Sequence, residues 1–479
     1  MTQPTFYWYD YETFGADPAR DRPAQFAGLR TDPELNPLGE PLVLYCKPAP
    51  DYLPDPAACL ITGITPQQAL CEGVLEVDFI RTINAEFSVP GTCVVGYNNI
   101  RFDDEVTRYA LYRNLMDPYA REWRNGNSRW DLIDVMRMAR ALRPEGIEWP
   151  IDQDGRVSFR LDQLTAVNNI QHADAHDALS DVMATMDLAR LLKQKQPRFF
   201  NFMMTHRHKQ QALRLLGLGS LQPLIHASSR YPAAQGCMAV VVALARHPSN
   251  PNGIVTYDLS VDPDPLIELS PEILRERLFT PRASLPADIE RIALKTVHIN
   301  KCPALAPLST LQPERAEIWG LDLEQCRKNL EKIRHAEGLD QKIQEILSMD
   351  KRDKDTAKDV DLSLYDGFVV EQDRTALNEF LRMSPAEMAG WSRPMSDPRL
   401  PELMFRFRAR NYPDSLKPGE AERWRLQTRN RLSDKALGGG RTFDELDQSI
   451  AELANQPLSE AKLRVLDAVK AYANQLRHA

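Results

Sequence analysis

The sequence contains no C-x-x-C pair, and its seven cysteines are scattered between Cys46 and Cys326. This spacing argues against both a zinc site and a disulfide framework, so we expect reduced, mostly buried thiols. The amino terminus, MTQPTFYWYDYETFG, lacks the basic and apolar regions of a leader peptide. No run elsewhere reaches the roughly 18 apolar residues that a membrane span needs. We therefore expect a cytoplasmic protein with no membrane association.

Acidic residues are absent from residues 188–257, although the whole chain has a formal net charge of −8. The same segment carries nine basic residues: Arg190, Lys193, Lys195, Arg198, Arg207, Lys209, Arg214, Arg230 and Arg246. Acid is therefore concentrated elsewhere, and this segment can form an electropositive path in an acidic protein. The alternative is an ordinary solvated basic face.

The length and the composition predict a multidomain globular protein. The chain has 479 residues, of which 43% are hydrophobic and 26% are charged, and a single core rarely organises that length. Residues 1–196 alternate apolar runs such as FYWYD and TCVVGY with amphipathic stretches, which indicates an α/β domain. Pro197 should end the last of these helices.

The remaining chain predicts two further domains. Residues 197–350 contain β-rich runs such as CMAVVVALA and GIVTYDLS between turn-forming clusters, then a helical stretch near 321–348, which fits a small sheet or barrel. Residues 351–479 begin with a charged, linker-like segment and continue with helical periodicity, so we expect an all-helical domain.

The strongest local feature is the pair Asp10 and Glu12 at the end of the strand FYWYDYET. Side chains two residues apart on a strand point to the same face, so both carboxylates should project together. Adjacent carboxylates are unfavourable unless a cation joins them, and oxygen ligands suit Mg²⁺ or Mn²⁺. The alternative is a strand that simply runs into a polar turn.

Two further segments carry candidate active-site residues. Asp103 follows the strand TCVVGY and opens a helix, where its carboxylate can either cap that helix or face the first pair. Asp181 interrupts the apolar side of a later helix, so its carboxylate needs a partner. His176 lies five residues before Asp181 and can accept a proton from water, although a histidine near a helix start is usually a surface residue.

Together these motifs resemble the histidine subclass of the DEDD exonuclease superfamily, in which a histidine stands five residues before the last aspartate. The strings DYETFG, GYNNIRFDDEVTRYALYRN, NSRWDLIDVMR, SFRLDQLT, AHDALSDVMAT, THRHK, VHINKCP and RARNYP are similar to bacterial exonuclease I along nearly the whole chain. That resemblance implies a ribonuclease H-like exonuclease domain over 1–196, an SH3-like domain over 197–350 and a helical domain over 351–479.

The resemblance also implies the activity and the active-site residues. It implies a monomeric 3′→5′ phosphodiesterase that degrades single-stranded DNA to 5′-mononucleotides in DNA repair and recombination. Two Mg²⁺ ions, with Mn²⁺ as a substitute, would be bound by Asp10, Glu12, Asp103 and Asp181, with His176 as the general base. The nearby Asp104, Asp131, Asp134 and Asp177 are interpreted as helix caps or supporting residues.

The resemblance assigns two sets of binding residues. The single-stranded DNA would be contacted by Glu12, Arg160, Arg108, Tyr119, Trp123, Arg137 and Lys209. The acidic, hydrophobic tail of single-stranded DNA-binding protein would be contacted by Arg143 and Arg334. Gln312 stands where the family carries an arginine, and Phe202 replaces a tyrosine, so this second interaction is expected to be weaker or rearranged.

Two rival functions stay open. An oligoribonuclease-like or proofreading exonuclease uses the same active-site residues, but such enzymes are usually small or embedded in polymerases. A non-catalytic module that binds single strands is the other rival, and it would be expected to lack one of the acids or the histidine.

Overall fold

A computed structural model describes residues 4–153, 155–172, 177–286, 289–348, 359–437 and 440–478. The chain forms two compact units. The first combines residues 1–128, 172–186 and 356–479, and the second combines residues 129–171 and 187–355. Within the described residues, no helix has the length and apolar content needed to cross a membrane.

The helices and strands follow the chain in three groups. The first contains β1 (Thr5–Thr13), β2 (Pro23–Thr31), β3 (Leu42–Tyr45), α1 (Pro56–Thr62), α2 (Pro66–Glu72), α3 (Glu76–Phe87), β4 (Thr92–Gly96), α4 (Asp103–Arg113), β5 (Ser128–Asp131), α5 (Leu132–Leu142), α6 (Leu161–Val167) and α7 (Ala178–Lys195). The second contains α8 (Pro197–His206), α9 (Lys209–Leu216), β6 (Leu224–Ala227), β7 (Met238–Arg246), β8 (Gly253–Asp258), α10 (Asp264–Glu268), α11 (Pro271–Phe279), β9 (Leu294–His298), β10 (Ala304–Pro307), α12 (Pro313–Ile318), α13 (Leu323–His335) and α14 (Leu339–Ser348). The third contains α15 (Glu371–Phe380), α16 (Pro385–Met388), α17 (Leu400–Asn411), α18 (Pro418–Ser433), α19 (Phe443–Ala454) and α20 (Glu460–His478).

The sheet of the first unit is built around β1. Four of its strands lie in this unit in the order β3-β2-β1-β4, and β1 is antiparallel to β2 but parallel to β4. Tyr7, Tyr9 and Tyr11 alternate along β1 and pack with Phe26 and Phe87 in one aromatic core. Because neighbouring side chains on a strand point to opposite faces, this packing directs Asp10 and Glu12 to the other face.

The second unit contains an antiparallel sheet in the order β10-β6-β7-β8-β9. Its core includes Val241, Ile254, Val297 and Leu305. The β-rich character predicted for this part of the sequence is therefore confirmed. The short strands β6 and β10 were not predicted individually, because four residues carry too little alternation to identify a strand.

The helix α7 ends at Lys195, before Pro197 as predicted, but Pro197 then begins α8. Proline suits the first turn of a helix, where the missing N–H would have no intrahelical partner. The chain therefore continues from one helix into the next at this point. The boundary at residue 197 stays a prediction.

The carboxy-terminal part is helical, as predicted, over residues 359–437 and 440–478. These helices belong to the same compact unit as the first strands of the chain. Leu432, Ile450 and Val469 share one apolar core with Phe14 and Cys59. The hydrophobic periodicity of each segment predicted that it is helical, but it gave no information about which part of the chain the helix packs against.

A buried network of ion pairs joins the beginning and the end of the first unit. Arg410 donates hydrogen bonds to Asp51 at 2.6 Å and to Asp361 at 2.5 Å. The side chains of all three residues are at most 5% exposed. Burial alone would raise the pKa of the Asp51 and Asp361 carboxyls, but the charges of Arg410 and Arg431, together with the hydrogen bonds from Arg410 and the charges of other nearby arginines, outweigh burial and lower both pKa values.

We predict that Arg410→Met destabilises the protein by about 3–5 kcal/mol, because it leaves two carboxylates buried without their main partner. Urea unfolding followed by tryptophan fluorescence measures this loss. Arg425→Met is the matched control, since Arg425 pairs with Glu422 at 68% side-chain exposure, and we expect it to change stability by less than about 1 kcal/mol. Equal effects of the two substitutions would contradict a structural role for the buried network.

Candidate active site

The first pair of predicted ligands lies at the end of β1. In the register of β1 with β2, Asp10 is opposite Ala27 and Glu12 is opposite Gln25. Glu12 is only 8% exposed, and a β-bulge follows it before Thr13. The two carboxylates therefore project from the same face of the strand, as the spacing of two residues predicted.

Asp181 joins this pair from α7. Asp10, Glu12 and Asp181 each offer a carboxylate oxygen, and these three atoms all lie within 4.8 Å of one another. The residues come from segments that are about 170 positions apart in the sequence. The described part of the chain thus forms a group of acids with the spacing of a metal site.

Asp103 also lies against β1. It is the first residue of α4, whose N-cap is Phe102, and no side chain caps this helix. The Oδ1 atom of Asp103 instead accepts a hydrogen bond from the backbone N–H of Tyr11 at 3.3 Å, the residue between Asp10 and Glu12. Of the two roles considered for Asp103, the contacts favour the one in which it faces the first pair.

The electrostatics of the four acids show how close they lie. Burial raises the pKa of Asp10 well above its usual range, and the charges of Asp103, Asp181 and Glu12 raise it further. Burial, together with the charges of Asp181 and Asp103, raises the pKa of Glu12 to about 9. These carboxylates repel one another in a place where little water screens them, so a cation would stabilise their ionised forms.

The predicted general base, His176, lies outside the described residues. On either side of residues 173–176, the structure describes three contacts that the sequence did not predict. The Nε2 atom of His172 lies 2.5 Å from Oδ1 of Asp181. The backbone N–H of Ala178 and the carboxylate of Asp177 both bind the side-chain amide of Gln25, each at 3.3 Å.

The four other acids near the motifs have structural partners. Asp104 is fully buried and accepts hydrogen bonds from Arg121 at 2.6 Å and from the Tyr9 hydroxyl at 3.1 Å. Asp131 accepts from the N–H of Ile133 and caps α5. The remaining two are Asp134, which pairs with Arg137 at 2.5 Å, and Asp177, which accepts from the N–H of Ser180 at 3.1 Å. These contacts agree with the supporting roles that the sequence suggested.

Besides Glu12, three of the predicted DNA contacts lie in the first unit. Arg108 is 5% exposed, and its guanidinium pairs with Glu105 and Glu122 at 2.7 Å each while lying over the ring of Tyr119. Trp123 is 64% exposed. Tyr119, Trp123 and Phe368 line a cavity of about 190 Å³, and Tyr119 contacts Phe368 edge to face. The cavity therefore offers aromatic rings on which bases could stack, whereas the guanidinium of Arg108 is already paired with two carboxylates.

The other predicted contacts lie in the second unit. Arg137 pairs with Asp134 at 2.5 Å and lies over the ring of Phe159. Arg160 is exposed and pairs with Asp162 at 3.1 Å. The ammonium of Lys209 donates to Asn252 at 2.6 Å. Arg160 and Lys209 keep their charged ends at the surface.

The predicted partner-binding residues also belong to the second unit. Arg143 donates to the carbonyl of Thr310 at 3.1 Å, and Arg334 is exposed and pairs with Glu331 at 2.7 Å. Gln312 caps α12 through its backbone, and Phe202 stacks on His206 at 4.0 Å between ring centres. Phe202 therefore keeps the aromatic ring of the tyrosine that the family carries at this position, but it lacks the tyrosine hydroxyl.

Family models match nearly the whole chain. A model described as "Exonuclease" matches residues 7–189, one described as "Exonuclease I SH3-like domain" matches residues 207–349, and one described as "Exonuclease I C-terminal domain" matches residues 358–476. These matches confirm the three kinds of domain that the resemblance implied.

Curated proteins and solved structures agree with these models. The chain is 45% identical to exodeoxyribonuclease I of Escherichia coli over 475 residues, which covers 99% of this chain and 98% of the relative. It is 54% identical to exonuclease I of Methylocaldum szegediense, with a TM-score of 0.95 and 99% of each chain covered. For E. coli exonuclease I in complex with a dA16 oligonucleotide the TM-score is 0.94 at 45% identity, with 99% of this chain and 100% of the other covered.

Two further solved structures, the first of them from E. coli and each 44% identical to this chain, contain other bound groups. One is the zinc-bound form of an exonuclease I complex with single-stranded DNA, with a TM-score of 0.92 and 100% of both chains covered. The other is described as SSB and exonuclease I in complex with an inhibitor, with a TM-score of 0.89 and coverage of 99% and 100%.

We predict that Glu12→Gln stabilises the metal-free protein more at pH 8 than at pH 5. The folded pKa of Glu12 is about 9, and the usual value is 4.5. The folded state therefore holds a proton that the unfolded state releases, and the stability from this group falls as the pH rises from 4.5 to 9. Glutamine does not ionise and escapes this loss.

Thermal unfolding in a chelator measures this effect. We expect the Tm of Glu12→Gln minus that of the wild type to grow by roughly a few degrees between pH 5 and pH 8. Glu422→Gln changes an acid that is 65% exposed and serves as the control with no such trend. A Tm difference for Glu12→Gln that is independent of pH would contradict the raised pKa.

Proposed function

The chain belongs to the exodeoxyribonuclease I family of 3′→5′ exonucleases for single-stranded DNA, and we propose that Asp10, Glu12, Asp103 and Asp181 form its active site. The observation that supports this proposal is the convergence of carboxylate oxygens from β1 and α7 within 4.8 Å, with Asp103 held against the same strand. The proposed product is a 5′-mononucleotide, released from the 3′ end one at a time.

We propose Mg²⁺ as the metal, bound as two ions, with Mn²⁺ as a substitute. The group of acids contains carboxylate oxygens only, the donors that Mg²⁺ and Mn²⁺ prefer, whereas zinc sites usually include nitrogen or sulfur. The E. coli relative has a zinc-bound structure with single-stranded DNA, which supports binding of a divalent ion by this family. When bound, Mg²⁺ lowers the pKa of an attacking water and neutralises charge on the phosphate.

The residues of the chain position the reaction. Asp10 and Glu12 are fixed by the pairing of β1 with β2 and β4, and Asp181 is fixed by α7. His176 is the proposed general base, which accepts a proton from the attacking water while the bond from phosphorus to the 3′ oxygen breaks. Glu12 is also proposed to contact the terminal nucleotide.

Six further residues are proposed to hold the strand. Tyr119 and Trp123 offer flat faces on which bases can stack, a contact worth about 1–3 kcal/mol per base. Arg137, Arg160 and Lys209 are the proposed phosphate contacts. Arg108 is proposed to act through Tyr119, because its guanidinium is paired with Glu105 and Glu122 and lies over the tyrosine ring.

The proposed partner is the acidic, hydrophobic carboxy-terminal tail of single-stranded DNA-binding protein, bound by Arg143 and Arg334. A solved structure that is 44% identical to this chain is described as SSB and exonuclease I. Charged groups of opposite sign would orient such a tail, and its apolar side chains need an apolar face such as that of Phe202. We further propose that the protein is a cytoplasmic monomer that acts in DNA repair and recombination.

We predict that Asp181→Ala lowers hydrolysis of single-stranded DNA by about 1000-fold or more, since stabilisation by a bound metal is worth several kcal/mol. A 5′-labelled oligonucleotide with and without Mg²⁺ measures the loss and shows whether shortening begins at the 3′ end. Asp187→Ala, on the same helix, is the control with activity near that of the wild type.

The same assay distinguishes the two rival functions. If the wild type binds the strand but shows no Mg²⁺-dependent hydrolysis, the protein is a non-catalytic module. If it cleaves matched RNA as fast as DNA, it is an oligoribonuclease-like enzyme.

We predict that Arg143→Ala and Arg334→Ala each weaken binding of a fluorescent peptide with the tail's acidic, hydrophobic sequence by about tenfold, because a hydrogen bond to a charged group contributes about 1.5–3 kcal/mol. Fluorescence anisotropy measures the Kd. Arg425→Ala, on an exposed face of α18, is the control. Saturating titration with no binding by the wild type would contradict the proposed partner.

A further inference from the structure

We propose that His172 is a positioning residue that holds the Asp181 carboxylate in the orientation needed to bind the divalent ion. This inference rests on the proposed function, in which Asp181 is a metal ligand. His172 lies nine positions before Asp181, outside the five-residue spacing that marks His176 as the general base. The sequence therefore places the two histidines at different distances from Asp181, and the structure describes the contact of His172 alone.

The contact between the two side chains is short and buried. The Nε2 atom of His172 lies 2.5 Å from Oδ1 of Asp181, and the side chains are 5% and 17% exposed. An ionised carboxylate only accepts hydrogen bonds, so the imidazole must donate through Nε2–H. A hydrogen bond to a charged acceptor is about twice as strong as one between neutral groups, and burial strengthens it further.

A second contact fixes the backbone from which Asp181 projects. The amide of Gln25 accepts a hydrogen bond from the N–H of Ala178, the first residue of α7, and donates to Asp177. Gln25 also lies opposite Glu12 in the register of β1 and β2. Gln25 thus links the start of α7 by hydrogen bonds to the strand pair that carries Asp10 and Glu12. His172 restricts rotation of the Asp181 side chain.

The repulsion among the acids explains why such a restraint is needed. Asp181 contributes to the raised pKa values of both Asp10 and Glu12, so without the cation its carboxylate is driven away from them. A donor on one of its oxygens opposes that movement. Partners of this kind orient metal ligands, and their loss typically costs about 10–100-fold in metal affinity.

A matched pair of substitutions tests the geometry. His172→Gln places an amide N–H at about the reach of Nε2, whereas the side chain of His172→Asn is one methylene shorter and does not reach Asp181. Neither amide takes up a proton from water at neutral pH, so the pair also separates positioning from proton transfer. His478→Asn, at the exposed end of α20, is the control for loss of a histidine.

Electron paramagnetic resonance of free Mn²⁺ measures the metal affinity of the metal-free, full-length proteins without reference to activity. We expect His172→Asn to weaken Mn²⁺ binding by about 10–100-fold, and His172→Gln and His478→Asn to bind within about threefold of the wild type. At saturating Mn²⁺, His172→Gln should also hydrolyse single-stranded DNA at a rate close to that of the wild type. Circular dichroism melting of each metal-free variant confirms that it folds.

Two results would overturn the inference. Equal Mn²⁺ affinities for His172→Asn and His172→Gln would show that reach to Asp181 does not matter. Normal Mn²⁺ binding with lost hydrolysis in His172→Gln would show that His172 transfers protons instead. Failure of the proposed function is distinct, because it would leave the wild type itself unable to bind Mn²⁺ or insensitive to Asp181→Asn.

Discussion

Mutual repulsion among the carboxylates at the end of β1 has to be opposed by the residues that surround them. Burial raises the pKa values of Asp10 and Glu12, and the charges of Asp103 and Asp181 raise them further. Bringing such groups together disfavours folding when they are ionised, so the surrounding structure has to hold them in place until a cation compensates their charge. The same proximity that is unfavourable in the metal-free protein forms the metal site.

The scaffold supplies this restraint at several levels. Three tyrosines of β1 are fixed in an aromatic core on one face of the strand, which leaves the acids on the other. Gln25 and His172 then restrain the helix that carries Asp181. Farther away, Arg410 joins Asp51 near the beginning of the chain to Asp361 near its end, so the carboxy-terminal helices form one compact unit with the strands of the site.

The sequence predicted the parts of the site that follow from local periodicity. The two-residue spacing of Asp10 and Glu12 on a strand predicted that their side chains lie on the same face. Asp181 was identified because it interrupts the apolar face of a helix. The contact of Gln25 could not be predicted because it joins segments about 150 positions apart. The contact of His172 could not be predicted because this residue lies nine positions before Asp181 and belongs to no helix or strand that the sequence indicated. Likewise, helical periodicity predicted α17 to α20 but not the packing of α19 and α20 against α1. Nothing local indicated that the charge of Arg108 would be paired with two glutamates.

Anomalous diffraction from crystals soaked in Mn²⁺ shows whether the four acids bind a metal ion, because it locates the ion without relying on activity. We expect an anomalous peak bounded by the carboxylates of residues 10, 12, 103 and 181. A peak elsewhere, or well-ordered carboxylates at these four positions with no ion between them at saturating Mn²⁺, would contradict this expectation.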